Sequence, residues 1–168
     1  MSVTIDAADT RRFALPANWR RSAAAMLVLR YLMALFFTFA AINKFDPAFL
    51  FGDKLKVMFE TRLAQIDPAS IGAQFLVNFG IPWYVPINWI VALGEAAVAI
   101  GLLFGLATRS AGALAVFLMV MFGIGGYYDG SLVVLIALAL PLVLLPTGHW
   151  FGRDRALHAR YPDSIWFR

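Results

Sequence analysis

The sequence contains no cysteine, and this absence removes several kinds of redox chemistry. Without a thiol, the chain has no disulfide, no thiolate nucleophile, no thiolate-held zinc and no cysteine-ligated iron–sulfur cluster. Histidine is also rare, since only His149 and His158 occur and both follow the last apolar run. A haem held between two histidines of apolar helices therefore cannot be built by this chain alone. We expect no metal site, and any redox centre to be diffusible or supplied by a partner.

Charged residues are also scarce in this sequence. They make up 14% of the 168 residues, against 61% hydrophobic ones, whereas a soluble domain is about a quarter charged. This balance predicts an integral membrane protein with little chain left for a separate soluble catalytic domain. The net charge of +4 does not indicate a nucleic-acid partner, because the basic residues flank apolar runs instead of forming a stripe with interleaved aromatic residues. Membrane lipids are the expected surroundings.

The apolar runs predict an all-α fold, a bundle of four transmembrane helices within residues 22–147. Their expected bounds are about 23–42, 87–106, 111–128 and 131–146. The connections 107–110 and 129–131 are short, so neighbouring helices should be antiparallel. Between the first two helices, the loop 43–86 predicts an extra amphipathic helical segment: one helix over 51–66, and a second that starts at Asp67 and Pro68 and stops at Gly80.

The distribution of basic residues predicts the orientation in the membrane. The segments 1–21, 107–110 and 148–168 hold nine arginines, whereas the loop 43–86 holds four basic residues, Lys44, Lys54, Lys56 and Arg62. Because cytoplasmic segments carry the excess of Lys and Arg, both the N-terminal segment 1–21 and the basic tail 148–168 should be cytoplasmic. The chain is then expected to be a multi-pass protein of a bacterial inner membrane, with the loop 43–86 facing outward.

Two ionisable residues, Arg30 and Glu95, lie inside the predicted spans. Each costs about 2.5 to 3.5 kcal/mol near the middle of a membrane and is therefore a candidate functional residue. If both helices are centred on the bilayer, their depths differ by roughly 6 Å, which an arginine side chain can bridge. The pair could simply lock the first two helices together. It could instead form a quinone or proton site, in which the arginine binds a quinone carbonyl and the carboxylate passes protons.

Lys44 and Asp129 are further candidates at the outer ends of the helices. A lysine at the end of a span ordinarily extends its ammonium group to the interface, and an Asp-Gly pair beside tyrosines ordinarily forms a turn. The alternative is that both residues serve the outer mouth of a site, with Asp129 as a proton entry point. The spacing of Gly101 and Gly105 predicts close helix packing, within the chain rather than between two copies.

Several motifs resemble the DoxX/DoxD family. They are Leu29-Arg30-Tyr31, Asn43-Lys44-Phe45, Gly94-Glu95-Ala96, the stretch from Gly101 to Arg109 and the tail from Gly148 to Asp154. The resemblance covers about residues 22–156 and implies a four-helix membrane fold. The long segment between the first two helices is similar to the DoxD branch, which is associated with thiosulfate:quinone oxidoreductase.

The resemblance implies a membrane subunit of a quinone-linked oxidoreductase, with thiosulfate as a candidate electron donor. Arg30 would then orient a diffusible quinone and Glu95 would relay protons, while Lys44 or Asp129 would serve the outer mouth. No residue set suits sulfur chemistry, so another membrane or periplasmic redox subunit is the expected partner. The alternative is a non-catalytic accessory or assembly subunit of a larger respiratory complex. A transporter is disfavoured, because the chain has no clear inverted repeat.

Overall fold

The computed structural model describes residues 20–167, with side chains from residue 22 onward. The predicted N-terminal segment 1–21 therefore lies outside the described residues, apart from the backbone of its last two. Residues 20–167 form helices and turns and contain no strand, so the all-α prediction is confirmed for this part of the chain.

In chain order the helices are α1 (Arg20–Lys44), α2 (Pro47–Leu50), α3 (Lys54–Leu63), α4 (Ile71–Phe75), α5 (Tyr84–Phe104), α6 (Thr108–Ile124), α7 (Gly130–Leu144), α8 (Thr147–Trp150) and α9 (Asp154–Arg160). A π-helical turn, Leu76–Gly80, continues α4, and a 3-10 turn, Ile165–Phe167, follows α9. The four predicted long helices are thus α1, α5, α6 and α7, each shifted or extended by a few residues.

Local sequence explains where α5 begins and ends. Pro86 falls in its first turn, where a proline is tolerated because the backbone N–H there has no helical partner in any case. Gly105 ends the helix in the left-handed conformation, with φ of 63°, which glycine adopts without a steric penalty.

Length separates the four long helices into two groups. Among the described residues, the segments Ser22–Lys44 and Tyr84–Phe104 are long and apolar enough to cross a membrane. Helices α6 and α7 have 17 and 15 residues, which corresponds to about 25 and 23 Å, less than a hydrocarbon core of about 30 Å.

The long helices pack antiparallel to their neighbours in the chain, as predicted. A Cβ atom on Gly101 of α5 would lie 2.7 Å from the Cβ of Ala111 in α6, and one on Gly112 would lie 3.1 Å from the backbone of Leu142 in α7. Gly101 therefore serves close packing within the chain. We call the end at which α1 finishes and α5 starts the loop end, and the opposite end, where α5 turns into α6, the tail end.

The bundle buries one apolar cluster and exposes another set of apolar side chains. Met33, Phe37, Val98, Leu102 and Leu118 are among the buried residues that form its core. The outer face of α1 is also apolar and exposed; it carries Val28, Leu32, Leu35, Phe39 and Ile42. Apolar side chains of this extent on an outer face are typical of a surface that contacts lipid.

The segment between α1 and α5 is helical, but its second helix starts later than predicted. Ser70, not Asp67, is the N-cap residue, because the Ser70 hydroxyl accepts the N–H of Ala73 at 3.1 Å. Asp67 instead accepts the N–H of Ala69 at 2.8 Å in the turn before the helix. The predicted stop at Gly80 is confirmed by the end of the π-helical turn.

Candidate functional site

The predicted ion pair between Arg30 and Glu95 is wrong, because Glu95 binds Lys44. The Lys44 ammonium donates to both carboxylate oxygens of Glu95, at 2.8 and 2.9 Å. Arg30 lies at the tail end, where its guanidinium comes within 3.3 Å of the Cβ position of Gly105. Gly105 is ten residues beyond Glu95 on the same chain, which is about 15 Å along a helix.

The Lys44–Glu95 pair is enclosed by apolar and aromatic groups. The Glu95 side chain is 2% exposed and that of Lys44 is 21% exposed. The ammonium nitrogen lies 5.9 Å from the centre of the Phe49 ring and 5.8 Å from that of Phe122, within the range of cation–π attraction. The positive charge of Lys44 is therefore stabilised by the Glu95 carboxylate and by two aromatic rings.

A cavity of about 280 Å³ adjoins this pair at the loop end, and we call it the pair cavity. Lys44, Asp129 and Ser131 line it, together with Tyr127 and apolar or aromatic side chains of α2, α3, α5, α6 and α7. The structure therefore brings Lys44, Glu95 and Asp129 to one site, although the sequence suggested Lys44 and Asp129 only as residues of an outer mouth. Arg30 is not part of it.

Asp129 does not form the Asp-Gly turn that the sequence suggested, because Gly130 is already the first residue of α7. It is the N-cap residue of α7, where its carboxylate accepts the hydroxyl of Ser131 at 2.6 Å and the N–H of Leu132 at 3.0 Å. These two hydrogen bonds lower the pKa of Asp129, so the exposed carboxylate at the rim of the pair cavity is ionised at neutral pH.

Sequence reasoning missed Asn88 on α5. Its side chain is fully buried two helical turns before Glu95, and neither amide atom has a hydrogen-bond partner among the described residues. A buried amide without a hydrogen-bond partner is costly. Asn88 is therefore a further candidate functional residue inside the apolar bundle. An asparagine inside an otherwise apolar run was the available sequence signal.

Arg30 connects α1 with the chain after α7. Its side chain is fully buried, and its guanidinium donates to the carbonyl oxygen of Thr147 at 2.8 Å and to the hydroxyl of Tyr31 at 2.9 Å. Within residues 22–167 it forms no salt bridge. Arg30 therefore helps to attach the tail to the bundle.

Asp154 completes this attachment by capping α6 from a distant part of the chain. Its buried carboxylate accepts the N–H and the hydroxyl of Thr108, at 3.0 and 2.7 Å, as well as the N–H of Ala107. In return, the carbonyl oxygen of Gly105 accepts the N–H groups of Arg153 and Asp154, both at 3.0 Å. The motif that closes α5 and the tail motif, which the resemblance singled out separately, thus form one contact.

We expect His149 to make the stability of the tail depend on pH. Burial lowers the pKa of its imidazole, partly offset by the hydrogen bond between its ring and the carbonyl oxygen of Phe167. Because the folded pKa lies below the unfolded value of about 6.5, the neutral ring contributes stability above that pH and loses it as the pH falls through the folded pKa. We expect the melting temperature to fall between pH 7.5 and 5.5, and to fall less in His149→Gln. An equal fall in both proteins would contradict this role.

Most of the bundle matches a known protein family. Residues 25–125 match the DoxX family, which is more than half of the chain and includes Arg30, Lys44 and Glu95. No curated protein and no solved structure matches the chain. The tail motif lies beyond the matched residues, although it packs on the α5–α6 turn within them. The chain is therefore a membrane protein that belongs to the DoxX family.

Proposed function

We propose that this chain is a membrane subunit of a quinone-linked oxidoreductase, and that the Lys44–Glu95 pair forms its quinone head-group site. The observation that carries the proposal is an ion pair held among apolar helices beside a cavity of about 280 Å³. A buried charge pair is expensive in a membrane, so its presence next to a cavity favours a role in ligand binding or proton transfer. DoxX membership agrees with such a role.

The residues around the pair cavity suit a quinone. A quinone ring has two flat apolar faces and carbonyl oxygens that accept hydrogen bonds. The cavity supplies the rings of Phe49, Phe122 and Tyr127 for stacking. Lys44 supplies the donor, because an ammonium group has three N–H bonds and Glu95 accepts only two of them. When bound, the quinone would accept two electrons and two protons.

The chain's own groups have separate roles in this proposal. Lys44 donates a hydrogen bond to the head group, and Glu95 holds the ammonium in position and serves as a proton carrier inside the bundle. Asp129, ionised at the rim of the pair cavity, exchanges protons with the aqueous side. Arg30 takes no part, since 14 residues separate it from Lys44 on α1, about 21 Å along the helix.

We propose that α1, α5, α6 and α7 all cross the membrane of a bacterial cell, with the shorter α6 and α7 completed at their ends by flanking turns. Arg109, Arg153, Arg155 and Arg160 belong to the tail end, so the positive-inside rule places that end in the cytoplasm. The loop end then faces outward. A partner subunit would supply the electron donor, because the cysteine-free chain holds no evident redox group.

A double substitution tests the head-group site. Lys44→Met/Glu95→Leu replaces both charged side chains by apolar ones of similar size, so no charge is left unpaired. The variant is studied in nanodiscs. We expect it to retain decylubiquinone at least tenfold more weakly than the unaltered protein, as measured by extraction of bound quinone with empty nanodiscs as the blank. The matched control is Lys54→Met/Glu60→Leu, which removes an exposed lysine and an exposed glutamate from α3.

The outcomes separate the two candidate functions. Full quinone binding by the Lys44→Met/Glu95→Leu protein would reject the pair as the head-group site. A wild-type chain that binds no quinone and co-purifies in equal amount with an oxidase or dehydrogenase would favour the accessory subunit.

A further inference from the structure

A second cavity, of about 220 Å³, adjoins the pair cavity, and we call it the apolar cavity. The two cavities share five lining residues, Leu55, Phe59, Val91, Phe122 and Tyr127. These shared side chains lie where the two cavities meet. Together they form a site with a charged end at Lys44 and an apolar end.

The lining of the apolar cavity is unlike that of the pair cavity. No charged side chain lines it, and the hydroxyl of Tyr127 is occupied by a hydrogen bond to the carbonyl oxygen of Met58 at 3.0 Å. Polar ligands would find no partner there, whereas an alkyl or isoprenoid chain would need none.

The apolar cavity also reaches the outer surface of the bundle. Three of its lining side chains are about half exposed or more, Phe79 at 48%, Ile90 at 60% and Phe117 at 52%. Ile90 belongs to α5 and Phe117 to α6, so the cavity opens between these two helices. This part of the surface is apolar and faces the lipid in a membrane protein.

We propose that the two cavities hold one long-chain quinone, with its ring in the pair cavity and its tail in the apolar cavity, and that it enters sideways from the bilayer between α5 and α6. The inference rests on the proposed function and adds to it the class of quinone and the direction of entry. Lateral entry is physically favourable, because the tail passes from lipid to apolar side chains and never crosses water.

Gly125 offers a way to fill the apolar cavity alone. This residue lines the apolar cavity and not the pair cavity. A Cβ atom there would lie 3.4 Å from its nearest atom, the carbonyl oxygen of Met121, which is ordinary van der Waals contact. Because Gly125 lines the apolar cavity, we expect that cavity to take up the remaining carbons of a leucine and the Gly125→Leu protein to fold. The matched control is Gly130→Leu, since Gly130 has no atom within 4 Å of its Cβ position.

The experiment compares two probes in nanodiscs. Decylubiquinone carries a ten-carbon tail, and ubiquinone-0 carries the same ring with no tail. We expect Gly125→Leu to weaken the binding of decylubiquinone at least tenfold and that of ubiquinone-0 less than twofold. Each value is compared with that of the unaltered protein for the same probe, so partition of the tail into lipid cancels. Gly130→Leu should alter neither.

A second variant protects the test against misfolding of the first. Ile90→Trp enlarges an exposed side chain at the opening between α5 and α6 and should also weaken only the tailed probe. Equal loss of both probes, or no loss of either, in both variants would overturn the inference. So would a phospholipid, detected by native mass spectrometry, that Gly125→Leu displaces while quinone binding is unchanged. If the unaltered protein binds neither probe, the proposed function itself fails.

Discussion

Asp154→Ala is expected to lower the free energy of unfolding by about 3 kcal/mol or more, because it removes the acceptor of two buried donors and one half-buried donor at once. The N–H of Ala107 and the N–H and hydroxyl of Thr108 lose their acceptor, and each buried donor without a partner costs about 1–3 kcal/mol. For a chain of this size, that loss corresponds to a fall of roughly 10 °C in melting temperature. Thermal unfolding in detergent, followed by circular dichroism, measures it.

Asp163→Ala is the control for this prediction, since Asp163 belongs to the same tail but is exposed. It should shift the melting temperature by no more than about 1 °C. Asp154→Asn should lie between the two, because an amide keeps one acceptor oxygen. An Asp154→Ala protein that melts with the Asp163→Ala control would show that the α5–α6 turn is held without the tail.

The same contact explains two glycines. Gly105 has a positive φ, and a Cβ atom on Gly152 would lie 2.7 Å from the Cα of Gly105. The two backbone segments can therefore approach each other this closely only because both residues are glycines and lack a side chain. Tail and bundle are therefore in direct backbone contact, and the buried hydrogen bond from Arg30 to Thr147 adds a second link between them.

The long helices could be predicted from sequence because each apolar run has its own length and its own stop signals. Gly105 ends α5 and Asp129 starts α7, and both are residue types whose local preferences decide a helix terminus. Bounds near Pro86 were off by a few residues, because a proline is as compatible with the first turn of a helix as with the loop before it.

The partner of Glu95 could not be predicted in the same way. Arg30 and Glu95 would lie at similar depths only if α1 and α5 were centred on one plane, whereas α1 is displaced along the bundle towards the tail end. Arg30 therefore lies level with the end of α5, and Lys44, the last residue of α1, reaches Glu95. Helix offset depends on side-chain packing between two helices, and neither run contains that information alone. Asn88 was not predicted as a candidate site residue, because a single polar residue does not interrupt an apolar run.

Breaking the Lys44–Glu95 pair one residue at a time is expected to cost far more than removing both residues. Lys44→Met leaves the carboxylate of Glu95, 2% exposed, without its cation, and the loss of one partner of a buried pair costs about 3–5 kcal/mol. Glu95→Leu should cost less, because Lys44 is 21% exposed at the end of α1 and its flexible side chain can turn towards the loop end.

The double variant Lys44→Met/Glu95→Leu should recover most of the stability, since an apolar pair of similar volume often replaces a buried ion pair at little cost. Thermal unfolding of the four proteins in nanodiscs gives the coupling energy of the pair directly. Additive losses would show that the two side chains do not interact and would remove the ion pair from the site. Recovered stability together with lost quinone binding would instead show that the chain keeps two costly charges inside its bundle for what they bind, not for the stability they add.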